Sequence, residues 1–113
     1  MLRTELEHLE LGRLRGRLGI SQETLARALE VSGRSVERWE SGSSPNDPRV
    51  LAALDRVREI ARLGEEVYGE TLPTFMRTPR RSLEGRTPTQ ALARGDIEAL
   101  YIVLVREAEG SWA

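Results

Sequence analysis

Cysteine and lysine are both missing from the 113 residues, histidine occurs once, and the aromatics are two Trp, two Tyr and one Phe. Without cysteine there is no disulfide framework, no thiolate metal site and no reason to expect an oxidising compartment, so a cytoplasmic location is expected. The lone His8 sits beside Glu7 with no HExxH pattern and no second histidine, which leaves no metal site and points to a solvent-exposed imidazole. No apolar run approaches the ~18 residues of a membrane span, and Met1 to Glu7 alternates charge with leucine instead of forming an export signal. Nucleophile elbow, phosphate loop and dinucleotide fingerprint are absent too, and Gly12 and Gly16 lie in a charged stretch. These absences predict a protein that binds, with no enzymatic activity and no cofactor.

What is present is charge: 31% of residues are Asp, Glu or Arg, against 39% apolar. Every basic residue is arginine, which favours planar bidentate contacts or reflects genome composition. The net charge of −1 argues against coating nucleic acid by bulk electrostatics, so any DNA contact must be local and dimeric. The length fits one medium or two small domains; halves of this size are marginal alone, which makes oligomerisation a natural source of stability.

Apolar spacing is helical almost throughout and no run alternates as a half-buried strand does, so the fold class is all-α. The first helix is expected to open at Thr4, with Glu7 completing a capping box, to bury Leu6, Leu9, Leu14 and Leu18, and to end between Arg15 and Gly19. One device then repeats at a spacing of eleven residues. Ser21 and Ser32 are N-caps, and Ile20 with Leu25, then Val31 with Val36, form hydrophobic staples. They predict short helices at about 22–29 and 33–41, the second stopped by Gly42. Ser43 to Asn46 is a loop. Asp47-Pro48 starts a long helix to Tyr68, closed by Gly69, with Gly64 tolerated inside. Beyond it come a short helix over 71–76, a turn at Leu83-Glu84-Gly85, a helix begun by Thr87-Pro88, and a last helix capped by Asp96. That helix is expected to bury Ile97, Leu100, Tyr101, Leu104, Val105 and Ala108. The domain boundary falls in the loop, giving 1–46 and 47–113.

Two capped helices joined by a tight turn are what a helix-turn-helix requires. The stretch SQETLARALEVSGRSVERWESG resembles the Xre family of bacterial repressors. By that resemblance Gln22 contacts phosphate, and Gly33, Arg34, Ser35, Glu37 and Arg38 occupy base-reading positions. Arg34 and Arg38 are the best readers, because a guanidinium pairs bidentately with guanine. Glu30 departs from the family, which often has glycine at this turn, and Gly33 replaces a polar reader. Glu37 and Glu40 are expected to offset Arg34 and Arg38, and Arg13, Arg15 and Arg17 either add phosphate contacts or form a solvated face. A helical unit retained only for dimerisation is the alternative.

Residues from about 49 onward resemble the toxin-binding domain of Xre/MbcA/ParS-class antitoxins. The resemblance rests on Phe75-Met76, Thr78-Pro79, Leu83-Glu84-Gly85-Arg86-Thr87-Pro88, Gly95-Asp96 and Gly110-Ser111-Trp112. Phe75, Met76, Leu83 and Leu92 read as core. Arg77, Arg80, Arg81, Arg86 and Arg94, against the single acid Glu84, form a basic patch suited to an acidic cleft or a nucleotide pocket on a partner; a solvated face is the competing reading. Ser111 and Trp112 lie on a short tail that either inserts into the partner or folds back.

The resemblance implies a bacterial type II antitoxin, partner of a RES-domain toxin that acts on NAD and is related in fold to ADP-ribosyltransferases. It would cover the toxin's active site, repress its own operator DNA, and act as a homodimer within a hetero-oligomeric complex. The long helix is the expected dimer element. The alternatives are a toxin-neutralising protein whose DNA module is vestigial, and an Xre-type transcriptional regulator whose C-terminal half only dimerises.

Overall fold

The computed structural model describes the backbone of residues 2–110 and the side chains of residues 10–110. Its helices are α1 (Leu2–Leu18), α2 (Gln22–Leu29), α3 (Gly33–Ser41), α4 (Pro48–Tyr68), α5 (Leu72–Met76), α6 (Pro88–Ala93) and α7 (Ile97–Ala108), with 3-10 turns at Gly69–Thr71 and Arg81–Leu83. No strand occurs among the described residues.

Both repeated caps form as the sequence requires. Ser21 accepts from the Thr24 N–H at 3.0 Å and Ser32 from the Ser35 N–H at 3.1 Å. Ile20, Leu25 and Val36 are buried, and Val31 packs against the same core. Between the two helices Glu30 takes the left-handed conformation, φ 57° and ψ 45°, the geometry for which glycine is best suited. Asp47 caps α4 by accepting from the Arg49 N–H at 2.9 Å. Thr87 and Gln90 form a reciprocal capping box on α6.

Three expectations change. The first helix begins at Leu2, so Thr4 lies within it instead of opening it; the side chains of Thr4, Leu6, Glu7, His8 and Leu9 lie outside the described residues. Asp96 occupies the cap position of α7 but its carboxylate makes no capping bond. It is drawn instead to the Arg86 guanidinium, a charge-assisted bond stronger than one to a neutral amide. On α7 the buried residues are Ile97, Leu100, Val103 and Leu104, Tyr101 and Val105 are half-buried, and Ala108 is exposed. The helix presents Val103 to the core where the periodicity pointed to Ala108, and leaves Ile102 46% exposed.

Side chains from both sides of the 43–46 loop share one hydrophobic cluster, from Leu11, Leu14 and Leu18 on α1 through Leu54, Val57 and Ile60 on α4 to Leu100 and Leu104 on α7. Helix α4 packs along α7 and also touches α1 and α2; α6 lies against α2, and α5 against α1. At about 1.5–3 kcal/mol per fully buried aliphatic side chain, this shared burial is the main force holding the C-terminal helices to α1–α3. Gly64 has a packing reason in this arrangement: a Cβ there would sit 2.6 Å from the Leu72 Cδ1, so the missing side chain lets α5 close onto α4.

Candidate functional site

The face offered by α3 carries Arg34, Glu37 and Arg38, all exposed. Ser35 is half-buried and its hydroxyl is engaged: it lies 3.0 Å from the Ser32 hydroxyl and accepts from the Arg38 Nη2 at 3.3 Å. Gly33 opens the helix immediately after the cap. Gln22, at the start of α2, donates through Nε2 to the Glu40 Oε1 at 2.9 Å.

Glu40 also receives the Arg15 guanidinium, Nε to Oε2 at 2.6 Å and Nη2 to Oε1 at 3.0 Å, while Arg15 Nη1 bonds the Ile20 carbonyl at 3.2 Å. The bonds from Arg15 hold the Glu40 carboxyl below its ordinary value, and Glu40 raises the arginine in return. Contrary to the sequence reading, Glu40 does not offset Arg34 and Arg38; it is consumed in joining α1, α2 and α3, and only Glu37 shares their face. Arg15 is likewise structural, and Arg17 pairs with Glu65 at 2.9 Å. Arg13 stays exposed.

The C-terminal arginines divide into two groups. Arg80 and Arg86 are half-buried and tied down. Arg80 pairs with Glu107 and places its guanidinium 4.9 Å from the Phe75 ring centroid. Arg86 pairs with Asp96 and donates from Nε to the Leu83 carbonyl at 3.1 Å. Arg77, Arg81 and Arg94 are exposed, with no ion pair among the described residues. The local excess of positive charge read along the chain is therefore reduced in space, because α7 brings Asp96 and Glu107 to two of the five arginines. Ser111 and Trp112 lie outside the described residues.

Glu107 also accepts from the Tyr68 hydroxyl at 2.5 Å, and the Tyr68 ring stacks on Phe75 with centroids 4.2 Å apart. Burial, helped by the bond to Glu107, pushes the Tyr68 phenol up to about 12. Tyr68 and Glu107 escaped the sequence reading because a helix-terminal tyrosine and a glutamate 39 positions away give no local sign of pairing.

Among the described residues no group of three or more His, Asp or Glu could hold a metal ion, and no helix is long and apolar enough to cross a membrane.

A helix-turn-helix domain family matches residues 9–63. The matched stretch runs through the loop and into α4. The fold is also similar to a chain of the crystal structure of the M. tuberculosis MbcT-MbcA toxin-antitoxin complex. The TM-score is 0.62 and the identity 25%, over 91% of this chain and 94% of that one. Comparison with curated proteins gives no match. The two findings bear out the Xre/MbcA/ParS resemblance read from the sequence, and they support an antitoxin or DNA-binding role.

Proposed function

We propose that this chain is a cytoplasmic antitoxin that neutralises a RES-domain, NAD-acting toxin by covering its active site and represses its own operon through the helix-turn-helix domain. The observation that supports this most is the likeness to one chain of a toxin-antitoxin complex along nine-tenths of both chains, with a helix-turn-helix match over residues 9–63. In this reading residues 1–46 serve DNA binding and dimerisation, residues 47–113 bind toxin, and the α4 surface joins two copies. The activity is occlusion, which needs no catalytic group and no cofactor.

On the DNA side, Arg34 and Arg38 read bases, with Gly33, Ser35 and Glu37 beside them, and Gln22 meets phosphate. Its amide is steadied by Glu40, whose charge Arg15 neutralises, so the carboxylate does not repel the backbone. On the toxin side, Arg77 and Arg81 supply exposed charge and the Ser111-Trp112 tail an aromatic anchor. Arg80 and Arg86, held by Glu107 and Asp96, shape that surface. Arg94 lines a hollow that it shares with Arg27 of α2.

Co-expression with the neighbouring reading frame tests the toxin half: this protein should rescue growth, and truncation after Gly110 should weaken rescue while sparing DNA binding. Absence of toxicity in the neighbour, or no rescue, overturns it. A mobility-shift assay on the upstream promoter tests the DNA half: Arg34→Ala with Arg38→Ala should cost about 1–3 kcal/mol per lost bidentate contact. Undiminished affinity would remove direct readout and favour a vestigial DNA module.

The alternative, a transcriptional regulator whose C-terminal half only dimerises, draws support from the helix-turn-helix match running to residue 63 and from the core shared across the loop. Operator binding with no toxin rescue would select it.

A further inference from the structure

A hollow of about 210 Å³ between α2 and α6 is lined by Arg27, Arg86, Gln90, Ala93 and Arg94. Its chemistry is one-sided. Three arginines and no acidic residue line it, and Gln90, whose Oε1 is occupied by the Thr87 N–H at 2.8 Å, has only its Nε2 donor left to offer. Arg27 is tethered to Glu23 at 2.9 Å, an exposed pair within one helix; such pairs contribute little and yield readily to a stronger anion. Arg86 is held more firmly by Asp96 and the Leu83 carbonyl, which fixes its position at the wall. Arg94 is exposed and has no ion pair among the described residues.

We infer that this hollow is an oxyanion site for a phosphoryl group, gripped by Arg94 and Arg27 with Arg86 and Gln90 as supporting donors. A carboxylate is satisfied by one guanidinium fork. A phosphate, with three or four acceptor oxygens and up to two charges, suits three arginines lining one hollow, of which Arg86 already gives Nε to the Leu83 carbonyl and Nη1 to Asp96. The ligand would bridge the helix-turn-helix domain, which supplies Arg27, and the C-terminal helices, which supply the rest, so its binding stabilises the α2–α6 contact. The phosphoryl group could belong to free phosphate or a mononucleotide, or to a DNA backbone, since the first helix of such a motif crosses that backbone.

Thermal melts of the full chain in phosphate and in chloride, matched for pH and ionic strength, test the site. Phosphate should raise the wild-type Tm by on the order of 5 °C at ten times Kd. This gain should fall by more than half in Arg94→Ala and in Arg27→Ala, and stand between the two in Arg94→Lys. Phosphate also stabilises proteins by exclusion from their surface, an effect that raises all variants alike, so only the difference between variants counts. Equal phosphate responses in wild type and both alanine variants would overturn the site. With the difference established, two further arms identify the source. A larger response to AMP than to phosphate assigns a nucleotide. A fall of about 0.9 in the slope of log affinity against log salt for DNA, on Arg94→Ala, assigns a backbone phosphate. An unchanged slope assigns the small anion. None of these readouts requires a toxin.

Discussion

The Arg15 guanidinium of α1 grips the Glu40 carboxylate of α3 in a two-point pair, 2.6 Å and 3.0 Å, and the same carboxylate holds the Gln22 amide of α2. Three helices that share only apolar contacts could slide against one another; this polar junction fixes their register. It is also well sheltered, with the two side chains 24% and 14% exposed, so water screens it less than an exposed pair such as Arg17 with Glu65.

Replacing Glu40 with Ala should cost about 2 kcal/mol, the usual size for hydrogen bonds to a charged group, measured by urea denaturation at neutral pH. The sign with pH follows from the lowered Glu40 carboxyl. A native carboxyl below its unfolded value of about 4.3 contributes stability above that pH, and the contribution is lost as pH falls through the native value. The gap between wild type and Glu40→Gln should therefore narrow as pH drops below about 4.3.

Tyr68 gives the opposite pH window. Its phenol, raised to about 12 in the fold, against about 10 when unfolded, contributes stability below pH about 10. That stability is lost as pH rises through about 12. Ultraviolet titration should show a phenol ionising near 12, and Tyr68→Phe should abolish that step.

Glu30 stands at φ 57°, where a side chain costs roughly 1–2 kcal/mol. Glu30→Gly relieves this while loosening the unfolded chain, so a net gain of about 0.5–1 kcal/mol is expected, read as a Tm increase of a few degrees.

Gly64→Ala should destabilise although alanine is the better helix former. The new methyl would lie 2.6 Å from the Leu72 Cδ1, and Leu72 is fully buried with little room to turn. Overpacking of this kind costs about 1–3 kcal/mol, and the loss is checked by chemical denaturation.

Local chemistry along the chain was enough for α2, α3 and α4. Ser21, Ser32 and Asp47 start helices because their oxygens reach backbone N–H groups two or three residues on, and Gly42 and Gly69 end them, all within a few residues of contour. The candidate DNA-reading positions came from the resemblance to the Xre family, and the caps only placed them on α2 and α3. The sequence could not say which charges meet. Glu40 reaches Arg15 across 25 residues, Glu107 reaches Arg80 across 27, and Asp96 abandons its cap for Arg86. Those partners are chosen by how α1, α3 and α7 pack, and packing depends on side-chain volumes at many sites at once. The tertiary structure therefore decided which arginines are spent on holding the fold, such as Arg15 and Arg80, and which, such as Arg94, keep no ion pair among the described residues.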